Sequence, residues 1–345
     1  MEGSKTVNVE VLREFCFKLL HPVIKNEEEC RSVVNSMIQA NLRGVDSHGV
    51  VRLLTYYKRF KTIEWQSPEV VKDNVATALI AGHNAPGQVC GEMAMKMAIE
   101  KAEQYGIGAV GVNYSNHFGT AAYYSMMAAE KGLIGFSFSN ASPRIAPWGG
   151  KKPILGNNPW SFAFPTTKGF SVVSDFSNSV VAAGKIRAAA AKGEQIPLGW
   201  ATDIDGVPTQ DAQAALHGLL LPIGAHKGYS IIMVVDILAG ILTGSGYGPQ
   251  IKGIDNTDYP QNVGHFFGAI KISNFMPLDT FYERIGVYVD LIKNSEKAAN
   301  VKEIFVPGEI EFNIMNKRKF EGITLSADTV DRLNQVAADL GIVGL

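Results

Sequence analysis

Through the first third of the chain, apolar residues recur at helical spacing. Residues 9–20 carry one such face and stop before Pro22. A second helix begins near Asn26, with Glu27, Glu28 and Glu29 in the first turn, where acids suit the helix dipole. Val33, Val34, Met37 and Ile38 make its apolar face and Gly44 stops it. From Ala76 the period changes. Segments 76–81, 107–112, 133–139, 161–164, 170–174 and 265–272 read as strands, with helices over 91–105 and 120–131. A buried helix is expected over 228–242, another over 280–294 and a last one over 326–340. The chain is α/β in class, without repeat or heptad run. Its helical start (1–75) and end (295–345) are expected to build one discontinuous helical domain around a sheet domain at 76–294.

Composition narrows the function more than the fold. An apolar fraction of 46 % and a net charge of -1 describe an ordinary globular protein, with no electrostatic reason to bind nucleic acid or an acidic membrane. The longest apolar runs are too short to span a bilayer, and the first residues lack a signal peptide's apolar core. Cys16, Cys30 and Cys90 show no CxxC spacing, which argues for reduced thiols and a cytoplasmic setting. The seven histidines show no HxxxH or HxH spacing, so no metal is expected.

Candidate chemistry concentrates in NLRGVDSHGVVRL (41–53), which packs Ser47, His48 and Arg52 into six residues. Imidazole transfers protons near neutral pH, and guanidinium is a planar fork that grips a carboxylate. The plain alternative is a helix start over 49–60 capped by Asp46 or Ser47. A second cluster, NYSNHFGT (113–120), places His117 between a strand end and a helix start, where α/β sheets bind ligands. GIGAVG (106–111) spells GxGxxG, but here a helix precedes the motif and a strand follows it. Gly106 is then a helix C-cap, and the phosphate-loop reading is rejected.

Several longer motifs carry a family likeness over about residues 8–340: RGVDSHGVVR (43–52), SNHFG (115–119), APWGG (146–150), LGNNP (155–159), WATD (200–203), GVPT (206–209), HKGY (226–229) and PGE (307–309). In these the chain resembles the malate/L-lactate dehydrogenase family that is distinct from Rossmann-type dehydrogenases. The resemblance implies a nicotinamide cofactor held on a non-Rossmann sheet domain, NAD by default and NADP as the alternative. It also implies a small 2-hydroxy or 2-oxo acid substrate and a homodimer. Carried over by motif, His48 and His117 are the acid/base candidates, Arg52 clamps the substrate carboxylate, and Ser47 and Tyr56 stand nearby. The cofactor would contact Asn140 and Ala141, the turn Asp175-Phe176-Ser177, Lys227, and the turn Pro307-Gly308-Glu309. Many relatives carry Asp-Met-Ala where this chain has Asp175-Phe176-Ser177.

Malate is the first expectation for substrate, with Arg144, Lys151 and Lys152 as cations for a second carboxylate. Sulfolactate, lactate, ureidoglycolate, diketogulonate and cyclic imine acids follow. A cofactor-free hydrolase would need a GxSxG elbow, which Gly244-Ser245-Gly246 does not complete. A non-catalytic binding protein is the remaining class, and it would leave both histidine clusters without a role.

Overall fold

A computed structural model describes residues 4–345. The chain begins with a short strand β1 (Lys5–Val7) and three helices, α1 (Val9–Leu20), α2 (Glu27–Leu42) and α3 (Leu53–Thr62). Asn8 and Asn26 cap α1 and α2 by accepting from free first-turn amides. Strands β2 (Glu69–Asp73) and β3 (Thr77–Ala81) follow, then α4 (Gly87–Tyr105), β4 (Ile107–Ser115), α5 (Ala121–Ala129), β5 (Leu133–Ser139), β6 (Trp160–Phe164) and β7 (Val172–Phe176). A smaller lobe holds α6 (Ala183–Lys192), β8 (Ala201–Thr202), β9 (Pro208–Thr209), α7 (Ala212–His217) and α8 (His226–Asp236). The chain closes with β10 (Val263–Lys271), α9 (Leu278–Lys293), α10 (Glu309–Glu321), β11 (Ile323–Leu325) and α11 (Ala327–Asp339).

Seven strands form one mixed sheet in the order β2-β3-β4-β10-β5-β6-β7. Only β3 and β4 run parallel; β10, late in sequence, inserts antiparallel between β4 and β5. Strand β2 is hydrogen-bonded into this sheet although it lies before residue 76, where the sheet was expected to begin. Helices α4 and α5 cover the sheet, burying Met95, Tyr124 and Phe267 against Val110 and Val112. A separate core joins Leu12, Leu19, Met37, Leu53 and Phe60 to Ile323, Leu333 and Val336, so the two ends of the chain pack together. The β1–β11 pair ties those ends with a three-residue antiparallel ladder.

Gly106 ends α4 in the left-handed conformation, φ 93°, and β4 follows at once, which leaves no strand-to-helix loop for a phosphate. The expected strand at 170–174 lies two residues later, so Asp175 and Phe176 are its last residues and only Ser177 opens the turn. The segment at 228–242 is α8 continued by a π-helical stretch (Ile237–Ile241), and it is not buried as expected. Val234, Ile237, Ile241 and Leu242 are exposed on it. Periodicity reports an apolar face; it does not report what covers that face.

Candidate active site

Ser47, His48 and Arg52 stand on two single 3-10 turns, Asp46–His48 and Val50–Arg52, between α2 and α3. Neither Asp46 nor Ser47 caps a helix, contrary to the plain alternative. The Asp46 carboxylate instead accepts from Asn41 Nδ2 (2.6 Å) and from both Arg318 Nη atoms (2.7 and 3.0 Å). Asn41 Oδ1 accepts from the Val50 amide at 2.8 Å, so one buried amide group staples both turns. A Cβ at Gly49 would lie 2.1 Å from that oxygen. Gly49→Ala is therefore expected to cost about 1–3 kcal/mol in urea unfolding and to lower kcat/KM, because Asn41 must give way.

His117 follows the end of β4 and reaches Tyr56 on α3: Tyr56 Oη and His117 Nδ1 are 2.8 Å apart. The Gly119 amide donates to the same Nδ1 at 3.3 Å, and the His117 amide donates to Gln261 Oε1 at 2.9 Å. The His48 ring stacks on His117 with centroids 5.5 Å apart and planes 18° apart. His48 Nδ1 lies 2.9 Å from Ser47 Oγ, and Arg52 Nε donates to the Ser47 carbonyl at 2.8 Å. That bond orients the guanidinium, which forms no ion pair among the described residues and keeps its Nη edge for an anion.

Electrostatics keep both rings neutral. Burial, then the nearby Arg52 charge, lower His48 to about 4. Burial, followed by His48 and Arg52, holds His117 well below the ordinary histidine range. Burial pushes the Tyr56 phenol up to about 12. A neutral imidazole pair beside a free guanidinium can bind a carboxylate and exchange a proton with an oxygen next to it.

Four supporting residues escaped the sequence reading. Gln261 holds the His117 backbone. Arg59, fully buried, donates to carbonyls of Gly253, Ile254, Asn256 and Tyr259 and so pins the loop that carries Gln261. Buried His265 bonds Ser139 Oγ (2.9 Å), Ser115 Oγ (3.0 Å) and the Asn116 carbonyl (3.1 Å), and stacks on Phe118 at 4.7 Å. Gln88 lies buried at the start of α4. None of the four carries a local signal: Arg59 lies among charged residues and Gln261 in a polar loop, and the side-chain hydrogen-bond partners of Gln261, Arg59 and His265 are 126 or more residues away.

The residues carried over for the cofactor fall in separate places. Val173 donates its amide to the Pro307 carbonyl at 2.9 Å, which brings the start of β7 beside the Pro307-Gly308-Glu309 turn. Burial raises Asp175 to about 6, opposed by the Ala122 amide and Arg43. Phe176 packs edge-on to Trp160, and Ser177 Oγ is 3.2 Å from Ser179 Oγ. Glu309 is engaged by Lys293 and by the Val306 amide, so its carboxylate closes its own turn. Asn140 is likewise occupied, by Asp236, Gly246 and Gly264, while the Ala141 amide donates to Asn158 Oδ1. Lys227 is exposed in the first turn of α8, which has no side-chain cap and starts at Ala225 with φ 57°. Arg43, four residues before Ser47, is buried and faces Asp175 and Glu311, linking the histidine motif to the β7 end. Among the described residues no three His, Cys, Asp or Glu side chains could hold a metal together, and no helix is long and apolar enough to cross a membrane.

The fold, a mixed seven-stranded sheet with no strand-to-helix phosphate loop at Gly106, is that of dehydrogenases of the non-Rossmann type. Residues 7–334 match the family model for malate/L-lactate dehydrogenase, and the chain belongs to that family. It is 39% identical to the malate dehydrogenase of Pyrococcus abyssi, over 100% of this chain and 97% of that protein. It is 37% identical to the malate/(S)-sulfolactate dehydrogenase of Methanothermus fervidus, over 97% and 98%. The solved sulfolactate dehydrogenase of Methanocaldococcus jannaschii superposes with a TM-score of 0.92 at 35% identity, covering 98% of each chain. Members of this family are nicotinamide-dependent 2-hydroxy acid dehydrogenases, and this chain is an enzyme of that class.

Proposed function

We propose that the enzyme interconverts malate and oxaloacetate with NAD, and that sulfolactate is the second-ranked substrate. The carrying observation is the stacked His48–His117 pair beside the unpaired Arg52 fork. Arg144 belongs to the same wider charged region: burial, then Arg187, lower its pKa, and Arg52 contributes least. Lys151, by contrast, faces Asp205 at 3.7 Å. A free guanidinium with a second cation in its wider surroundings suits an acid with two anionic groups, which malate and sulfolactate both are. Relatives named for those two substrates support the same reading.

Arg52 would hold the carboxylate next to C2, and His117 with His48 would exchange the proton on O2. When bound, the nicotinamide supplies or accepts the hydride. The start of α8, which no side chain caps and which carries the exposed Lys227, fits a dinucleotide pyrophosphate through the helix dipole and a cation. The buried Arg43 cation already faces Asp175 and Glu311 and so is not free for a ribose 2′-phosphate, which favours NAD over NADP. The exposed apolar face of Val234, Ile237, Ile241 and Leu242 favours a homodimer, and three unpaired buried thiols suit the cytoplasm.

A spectrophotometric screen of NADH and NADPH against oxaloacetate, pyruvate, sulfopyruvate, diketogulonate and a cyclic imine acid tests substrate and coenzyme together. Oxaloacetate with NADH should give the highest kcat/KM; absence of turnover with all five acids would sink the reading. Arg52→Lys should lower kcat/KM by about 10–100-fold, mainly through KM, because an ammonium cannot reproduce the fork.

A further inference from the structure

The two 3-10 turns that carry Ser47, His48 and Arg52 have no side-chain cap of their own. Their hold comes from the far end of the chain. Arg318, on α10, donates Nη1 and Nη2 to the two carboxylate oxygens of Asp46 at 2.7 and 3.0 Å. A fork on a carboxylate fixes orientation as well as distance. Arg318 Nη1 also donates to the Asn41 carbonyl in the last turn of α2. Helix α2 has no basic residue there, so Arg318 supplies the cation that a helix C-terminus favours.

The rest of α10 follows the same approach. Ile314, one turn before Arg318, stands 3.0 Å from where a Cβ on Gly44 would sit. Glu311, nearly a turn further back, faces buried Arg43. Glu311, Ile314 and Arg318 share one helix face at spacings of three and four, while Lys317 and Lys319 beside them are exposed. That face lies along residues 41–46, directly before Ser47.

Ser47 is where this grip reaches the chemistry. Its carbonyl accepts from Arg52 Nε at 2.8 Å, and its hydroxyl lies 2.9 Å from His48 Nδ1. The Asp46 carbonyl closes the first turn by accepting from the Gly49 amide at 3.1 Å. A shift of Asp46 therefore turns the guanidinium and the imidazole together. The Asp46 side chain is 50% exposed and that of Arg318 24%, and ion pairs so open to water add little stability. What this pair contributes is direction.

We propose that Arg318 is a positioning residue for the acid/base turn: its fork on Asp46, with its bond to the Asn41 carbonyl, sets Ser47 and through it the aim of the Arg52 guanidinium and the His48 ring. The role rests on the reading of Arg52 as carboxylate clamp and His48 as a proton-exchange group. The geometry of the site then depends on a helix near the end of the chain.

The test compares Arg318→Lys, Arg318→Met and Asp46→Asn in the full-length protein. Lysine keeps the charge without the planar fork, and methionine keeps an unbranched stem without the charge. With NADH, Arg318→Met should raise the KM for oxaloacetate about tenfold and lower kcat about tenfold, because clamp and ring shift together. Arg318→Lys should show part of both effects. Tm should fall by no more than about 4 °C. Arg318→Met combined with Asp46→Asn should be no worse than the poorer single variant, since both remove one contact. Nitrogen-15 NMR of labelled histidine, with His48 assigned by its own variant, reads the turn without substrate. The His48 Nδ1 signal should shift in Arg318→Met while those of buried His265 stay in place.

Unchanged KM and kcat in Arg318→Met overturn the proposal, as does a His48 signal that keeps its wild-type position. A loss of kcat that comes with a large fall in Tm and moved His265 signals overturns it too, because the helix then serves the fold alone. Additive losses in the double variant refute the route through Asp46. If Arg318→Met does not fold, Arg318→Lys decides alone: wild-type kinetics and an unmoved His48 signal refute the role of the fork. Because the NMR needs no substrate, failure there is distinct from failure of the dehydrogenase reading, which would appear as no turnover by wild type.

Discussion

His117→Gln is expected to lower kcat for oxaloacetate reduction by about 10²–10⁴-fold, the range for removing a general acid–base group. KM should change much less, because in the proposed binding Arg52 rather than the imidazole would hold the carboxylate. His48→Gln should fall in the same range, since the two rings share one stack 5.5 Å apart. The double variant should be little worse than the poorer single one, as groups that act together are not additive. Steady-state and single-turnover rates check this, and full turnover by both single variants would remove the imidazoles from the mechanism. Tyr56→Phe separates the supporting role: it leaves both rings in place but takes one hydrogen bond from His117 Nδ1.

How far the sequence could carry this depends on distance along the chain. Ser47, His48 and Arg52 were legible as a cluster because they share two adjacent turns, and the Arg52–Ser47 bond spans five residues. His117 was legible as a candidate from its place after a strand. Its contact with Tyr56 spans 61 residues and its link to Gln261 spans 144, so neither leaves a local pattern. Asp46 was misread as a cap candidate for the same reason: its true partner, Arg318, is 272 residues away. The α/β class followed from the alternation of periods, but the insertion of β10 between β4 and β5 did not. Strand alternation says which face is apolar, not which strand lies alongside. Helices α6, α7 and α10 were passed over because few of their residues are buried; α10 buries only Glu309.

Acid should unfold this protein more readily than its near-neutral charge suggests, and the interior histidines are the cause. His265 is held at about 3 by complete burial and His48 at about 4, while His117 is also strongly depressed. In the unfolded chain all three return to about 6.5. Between roughly pH 4 and 6.5 the unfolded state therefore binds more protons than the folded state, and stability rises with pH through that window. Above pH 7 these groups are neutral in both states and add no slope. Two carboxyls work the other way: burial raises Asp175 to about 6 and raises Asp236, so the folded state binds protons there that the unfolded state has released. Near pH 5 the three imidazoles outweigh what Asp175 and Asp236 take back, so the slope stays positive, about 1–3 kcal/mol per pH unit. Well above pH 6 Asp175 is ionised in both states, and the histidines alone carry the slope until it levels. Calorimetric Tm measured from pH 8 to 4 should thus be flat, then fall as pH drops below about 6.5. In His265→Gln, one proton should vanish from that slope, whatever the variant does to Tm at pH 8. A Tm that stays level from pH 7 to 4 would mean that the imidazoles are not held neutral inside the fold. The neutral donor and acceptor roles assigned to His48 and His117 would fall with them.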